Sequence, residues 1–69
     1  MEIVEEILEL VKKKMVEQAA YTRDAYQELV QETIEYFREK GKITDDDNDE
    51  FIEDQLMEMW EIVKDEFTV

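Results

Sequence analysis

Apolar residues recur along the first forty positions at helical spacing. With each residue turned about 100° from the last, Val4, Leu8, Val11, Met15, Ala19, Thr22, Tyr26, Leu29, Thr33 and Phe37 fall on one face. Positions 4, 15, 26 and 37 form a run of elevens, a period that keeps a nearly straight helix in register. A second stripe follows in Ile52, Leu56, Met59, Trp60, Val63 and Phe67. Between them Lys40-Gly41 reads as a helix end, because glycine takes the left-handed conformation without steric cost. Arg38 and Lys40 sit where the negative end of the helix dipole favours them. The next helix has two equivalent starts: Thr44 as N-cap with Asp47 three residues on, or Asp47 with Glu50. The expected fold class is all-α, a small antiparallel helical hairpin or three-helix bundle. Its helices cover about 2–40 and 45–67, in one domain spanning 1–69.

The first segment has two readings. Unbroken phase and the lack of Gly or Pro before Lys40 favour one helix of roughly 58 Å at about 1.5 Å per residue. The charge blocks favour two: Glu2, Glu5, Glu6 and Glu9 precede Lys12–Lys14, then Asp24 and Glu28 precede Arg38 and Lys40, with a joint near 20–22. In either case residues 3–16 carry Ile3, Ile7 and Leu10 beside Val4, Leu8, Val11 and Met15, a face about twice as wide as a coiled-coil seam. One neighbouring helix cannot cover it. A three-helix bundle would cover it within the chain; a long hairpin would need a second subunit. These seven residues are therefore the expected oligomer interface, with a homodimer favoured.

Composition narrows the possibilities. At 69 residues the core is small, and with neither cysteine nor histidine the chain has no disulfide, structural zinc, haem or iron–sulfur site to reinforce it. No cofactor is expected. The longest uncharged apolar stretches are two or three residues, so no membrane span is expected. The start Met1-Glu2-Ile3-Val4-Glu5-Glu6 lacks a signal peptide's basic opening, which makes the cytoplasm the expected location.

Candidate chemistry is sparse. Asp45-Asp46-Asp47-Asn48-Asp49-Glu50 fails the EF-hand pattern, since position 6 is Glu50 and position 12 is Leu56. There is no serine, and the four threonines have no base at helical spacing. Glu5-Glu6-Ile7-Leu8-Glu9 spells E-E-x-x-E, which resembles the first magnesium-binding motif of the all-α nucleotide pyrophosphohydrolases. That resemblance implies a Mg²⁺-dependent nucleotide hydrolase with a second acidic motif, E-x-x-D, on a later helix. Here the nearest substitutes are Glu50-x-x-Glu53 and Asp46-x-x-Asp49. The ordinary reading is glutamates favoured in the first turns of a helix.

Charge is the feature that points furthest. Of the formal −13, residues 1–42 contribute only −3, with ten acids and seven bases; residues 43–69 contribute −10, with Lys64 as the one base. On the last helix Asp46, Asp47, Glu50, Glu53, Asp54, Glu58, Glu61 and Asp65 project opposite the apolar stripe. Eight charges over about 28 Å approach the density of a nucleic-acid strand, one per roughly 3.4 Å. Nucleic acid and anionic lipid are thereby disfavoured as direct ligands. Trp60 and Met59 are expected in the core, whereas Met57, lying among acids, is added to the acidic residues as a partner contact. The expected function is non-enzymatic: self-assembly, and docking of a basic protein on the acidic C-terminal helix. A sharper alternative is an inhibitor that mimics nucleic acid in a DNA- or RNA-binding groove.

Overall fold

The computed structural model describes residues 2–44 and 48–67. Four helices occupy them: α1 Glu2–Gln18, α2 Arg23–Glu39, α3 Asp49–Glu58 and α4 Trp60–Phe67. No strand occurs among the described residues. None of these helices is long and apolar enough to cross a membrane.

The single long helix over 2–40 does not form. Its two halves are separate helices joined by residues 19–22, and the longest dimension of the molecule is 39 Å. The break is made without glycine. Ala19 takes φ +52°, Ala20 N–H donates to the Met15 carbonyl (2.9 Å) and Ala19 N–H to that of Val16 (3.3 Å). These paired bonds are the Schellman closure, which satisfies carbonyls left over at a helix end. Thr22 then N-caps α2, its side chain accepting from Ala25 N–H at 3.2 Å. A left-handed alanine costs about 1–2 kcal/mol. Folding back buries Val4, Ile7, Val11 and Met15 of α1 with Tyr26, Leu29, Val30, Ile34 and Phe37 of α2. At about 1.5–3 kcal/mol for each large apolar side chain, burial outweighs the strained residue.

The same closure ends α2. Gly41 has φ +76°, Lys42 N–H donates to the Phe37 carbonyl (2.9 Å) and Gly41 N–H to that of Arg38 (3.1 Å). Ile43, just beyond, is buried and pins the connection to the core. One polar residue enters that core. Thr33 turns its hydroxyl onto the Leu29 carbonyl at 2.7 Å, so its burial leaves no group unpaired.

The last helix departs from its expected span of 45–67 at both places that matter. It starts at Asp49 rather than after Thr44, and its N-cap is Asn48, whose side chain accepts from Phe51 N–H at 3.1 Å. Asp47 itself lies outside the described residues. The helix is also interrupted at Met59, whose N–H reaches the Gln55 carbonyl (3.2 Å) and whose carbonyl accepts from Ile62 and Val63 N–H (3.0 and 2.9 Å). The carbonyl freed by this break finds its partner on α2. The buried Tyr26 hydroxyl donates to the Leu56 carbonyl, the oxygen that an uninterrupted helix would give to Trp60 N–H. The Tyr26 and Trp60 rings then meet with centroids 5.1 Å apart, and Tyr21 meets Phe67 at 5.3 Å. Ile52, Leu56, Trp60 and Val63 complete the core from this side. Lys12 of α1 reaches Glu66 of α4 at 2.8 Å, an ion pair that ties the two helices together at the surface.

Two outcomes follow from these joints. Ala19→Gly is expected to raise the unfolding free energy by about 0.5–1 kcal/mol, and Gly41→Ala to lower it by about 1 kcal/mol, both read by urea denaturation. A Cβ at Gly41 would meet nothing within 4 Å, so that loss is purely conformational. Burial pushes the Tyr26 phenol up from 10.0 to about 12. A pKa raised on folding stabilises below pH 10 and the contribution is lost as pH rises from 10 towards 12, because the unfolded chain gives up the proton first. Tyr26→Phe should cost about 1 kcal/mol at pH 7. It should also remove this part of the alkaline loss, measured as urea midpoints at pH 9 and 11.

Candidate functional site

The acids of α3 and α4 divide according to what stands opposite them. Glu50, Asp54, Glu58, Glu61 and Asp65 are exposed, whereas Glu53 is half-buried and accepts from the Gln31 amide of α2 at 2.9 Å. Asp46 and Asp47, expected on the same face, lie outside the described residues. Two bases from the balanced half of the chain cross over to this half. Lys12 pairs with Glu66, and the Arg38 guanidinium with Asp49 at the start of α3. Both pairs flank the exposed acids and leave them unneutralised. Lys40 and Lys42 instead lie over the rings of Tyr36 and Phe37, 5.6 and 5.3 Å from the centroids. Within the acidic face Glu61 has a base, Lys64, at 2.8 Å. Its bond to Glu61 and the neighbouring carboxylates hold the Lys64 ammonium above its ordinary value. Glu50, Asp54, Glu58 and Asp65 form no ion pair among the described residues.

This arrangement works against the fold. Glu50, Asp54 and Glu58 follow one another at i,i+4, the spacing at which like charges repel across one helical turn. Glu61 and Asp65 repeat it on α4.

Beside these acids stand two apolar residues that sequence patterning did not single out. Phe51 and Ile62 are 49% and 66% exposed, and Met59 is half-buried. An open hollow of about 350 Å³ is lined by Val4, Glu5, Phe51, Gln55 and Met59. A neighbouring one of about 590 Å³ is lined by Glu5, Glu6, Leu8, Glu9 and Met59. Glu5 and Met59 line both hollows, which lie between α1 and the α3 side of the Met59 joint. The signal for the exposed pair was in the chain: α3 and α4 hold more apolar residues than their core stripe uses, and the surplus falls at 51 and 62.

The other expected site residues are placed as follows. Met57 is half-buried against the core rather than standing free among the acids. Trp60 is buried, and Met59 packs at the core's edge. Of the seven residues expected at an oligomer interface, Val4, Ile7, Val11 and Met15 are buried within the chain, and Ile3, Leu8 and Leu10 pack partly buried against the same core. Glu5, Glu6 and Glu9 line the α1 side of the hollow beside Met59, while Glu50 and Glu53 line a separate hollow against Gln31, Ile34 and Glu35 of α2. Glu5, Glu6 and Glu9 thus line a different hollow from Glu50 and Glu53; the other substitute motif, Asp46-x-x-Asp49, includes Asp46, which lies outside the described residues. Among the described residues no group of three or more acids is placed to hold a metal ion.

Because the exposed acids repel, added salt should raise the urea midpoint of this protein rather than lower it. Asp54→Asn, which removes a charge from between Glu50 and Glu58, should raise unfolding free energy at low salt by about 0.5 kcal/mol, with the gain fading at about 1 M NaCl.

Compared with known proteins, the chain matches no family model, no curated protein and no solved structure.

Proposed function

We propose that this chain is a non-enzymatic docking protein, a self-contained three-helix bundle whose third helix bends at Met59 and whose acidic α3–α4 face receives a basic protein partner. One observation carries the reading: three exposed carboxylates in succession on α3, those of Glu50, Asp54 and Glu58, form no ion pair among the described residues. Solubility is met by mixed charge and does not call for a one-signed face. Like charges held at i,i+4 cost stability, and a cationic partner would relieve that cost on binding. Charge of this kind acts mainly on the rate and selectivity of encounter. The partner is therefore read as a protein rich in Lys and Arg, with nucleic acid and anionic membrane excluded by sign.

Self-association enters this reading in reduced form. The wide apolar face of α1 motivated a homodimer, yet its central residues are covered by α2, α3 and α4. A second copy would have to use the remainder, the half-buried Ile3, Leu8 and Leu10 and the exposed residues of α3 and α4.

The test replaces Asp54, Glu58, Glu61 and Asp65 by their amides and compares capture of proteins from lysate at about 0.15 M salt. The parent chain is expected to retain basic proteins that about 0.5 M salt releases, and the amide variant to lose them. Equal retention of basic partners by the two chains would remove the acidic face from the mechanism.

A further inference from the structure

We infer that the outward face of α1 is a two-fold contact, on which a second copy of this chain lies antiparallel so that Glu6 of each copy meets Lys13 of the other. The inference stands apart from the docking reading, since it uses no residue of α3 or α4. It begins with how α1 sorts its charge. Glu5, Glu6 and Glu9 occupy the first half of the helix, Lys13 and Lys14 the second. None of these five forms an ion pair among the described residues, whereas Lys12 is held by Glu66. Glu6, Glu9 and Lys13 are exposed. Glu6 and Glu9 also line two open hollows, one with Leu8 and Met59 and another of about 460 Å³ with Leu10, Lys13 and Phe37 of α2. They stand on a crest between the two.

Seven residues separate Glu6 from Lys13, just under two turns, so both side chains point the same way. Leu10 lies between them, half-buried, and Val16 one turn past Lys13 is 58% exposed. A face that is acid at one end and basic at the other is complementary to itself when reversed. Two such helices related by an axis between residues 9 and 10 bring Glu6 opposite Lys13 twice and set Leu10 beside its counterpart. A parallel pairing would set Glu6 against Glu6. Residues 1–42 hold only −3 of the formal −13, so this half of the molecule repels a second copy least. The acidic face of each copy stays open to a basic partner. The contact is nevertheless slight. One helix of 17 residues offers a strip about 25 Å long, and Glu17 finds no base opposite it in this register. A dissociation constant on the order of 0.1 mM is expected, within the range of small transient interfaces.

Helix dipole and i,i+4 pairing also favour acids first and bases last, within a single chain. Exchanging charges between chains separates the two causes. Sedimentation equilibrium of the parent at about 0.5 mM and low salt should show a reversible dimer that about 0.5 M NaCl disperses. Glu6→Lys alone and Lys13→Glu alone should each weaken it at least about tenfold, because both contacts then oppose like charges. Both side chains are exposed, so circular dichroism should find the variants folded. An equimolar mixture of the two variants should dimerise again. The introduced base of one chain meets the introduced acid of the other, and native Lys13 of the first meets native Glu6 of the second. A single chain carrying Glu6→Lys with Lys13→Glu should self-associate as the parent does. A parent monomeric at about 0.5 mM, a dimer indifferent to either reversal, or variants that stay monomeric when mixed would each overturn the inference.

Discussion

A helix that is apolar on both flanks of its central stripe has to be covered from two directions, and α1 is such a helix. Ile7, Val11 and Met15 lose all contact with water only because α2 returns along one flank while α3 and α4 pass along the other. Chain reversal at 19–22 follows from that requirement, as does placing the third segment beside α1. The alanine in a left-handed conformation, the capping threonine behind it and the buried Ile43 at the second connection all serve the same closure.

How far the sequence discloses this depends on which residues make each junction. Glycine at 41 marks the end of α2 openly, because a residue without Cβ has an obvious reason to stand there. The end of α1 uses the same pair of hydrogen bonds with alanine, and alanine is also the best helix former, so local preference points the wrong way. The interruption at Met59 is hidden more deeply. Its freed carbonyl is met by a tyrosine thirty residues earlier, and periodicity along one helix carries no information about a hydroxyl arriving from another. Most core residues were legible for the converse reason, that their spacing sets which side they occupy; Val30, Ile34 and Ile43 are buried outside the expected stripes, and Ala19 and Thr22 within them are exposed where the chain turns.

The candidate surface was legible only in part. Counting charge located the acids on the last helices, since side chains this polar face outward wherever the apolar stripe is buried. Which acids find a base could not be counted. Lys12 and Arg38 reach across by folding, and they choose Glu66 and Asp49 at the margins. Phe51 and Ile62 were obscured because each borders the core stripe, and only the packed positions of α1 and Met59 show which border residues stay uncovered. Stability and docking pull in opposite directions here. The core holds the molecule together, while the face proposed to act keeps its charges close and unpaired.

The hydroxyl of Tyr26 on the Leu56 carbonyl has one more consequence. Where a helix runs unbroken, each turn is tied to the next by its backbone, and opening spreads along it. Here the ladder narrows between α3 and α4 to the bonds made by Met59, so the eight residues of α4 lean more on side chains: Trp60, Val63 and Phe67 inside, Lys12 outside. Amides of α4 are therefore expected to exchange with solvent at a free energy below that of global unfolding.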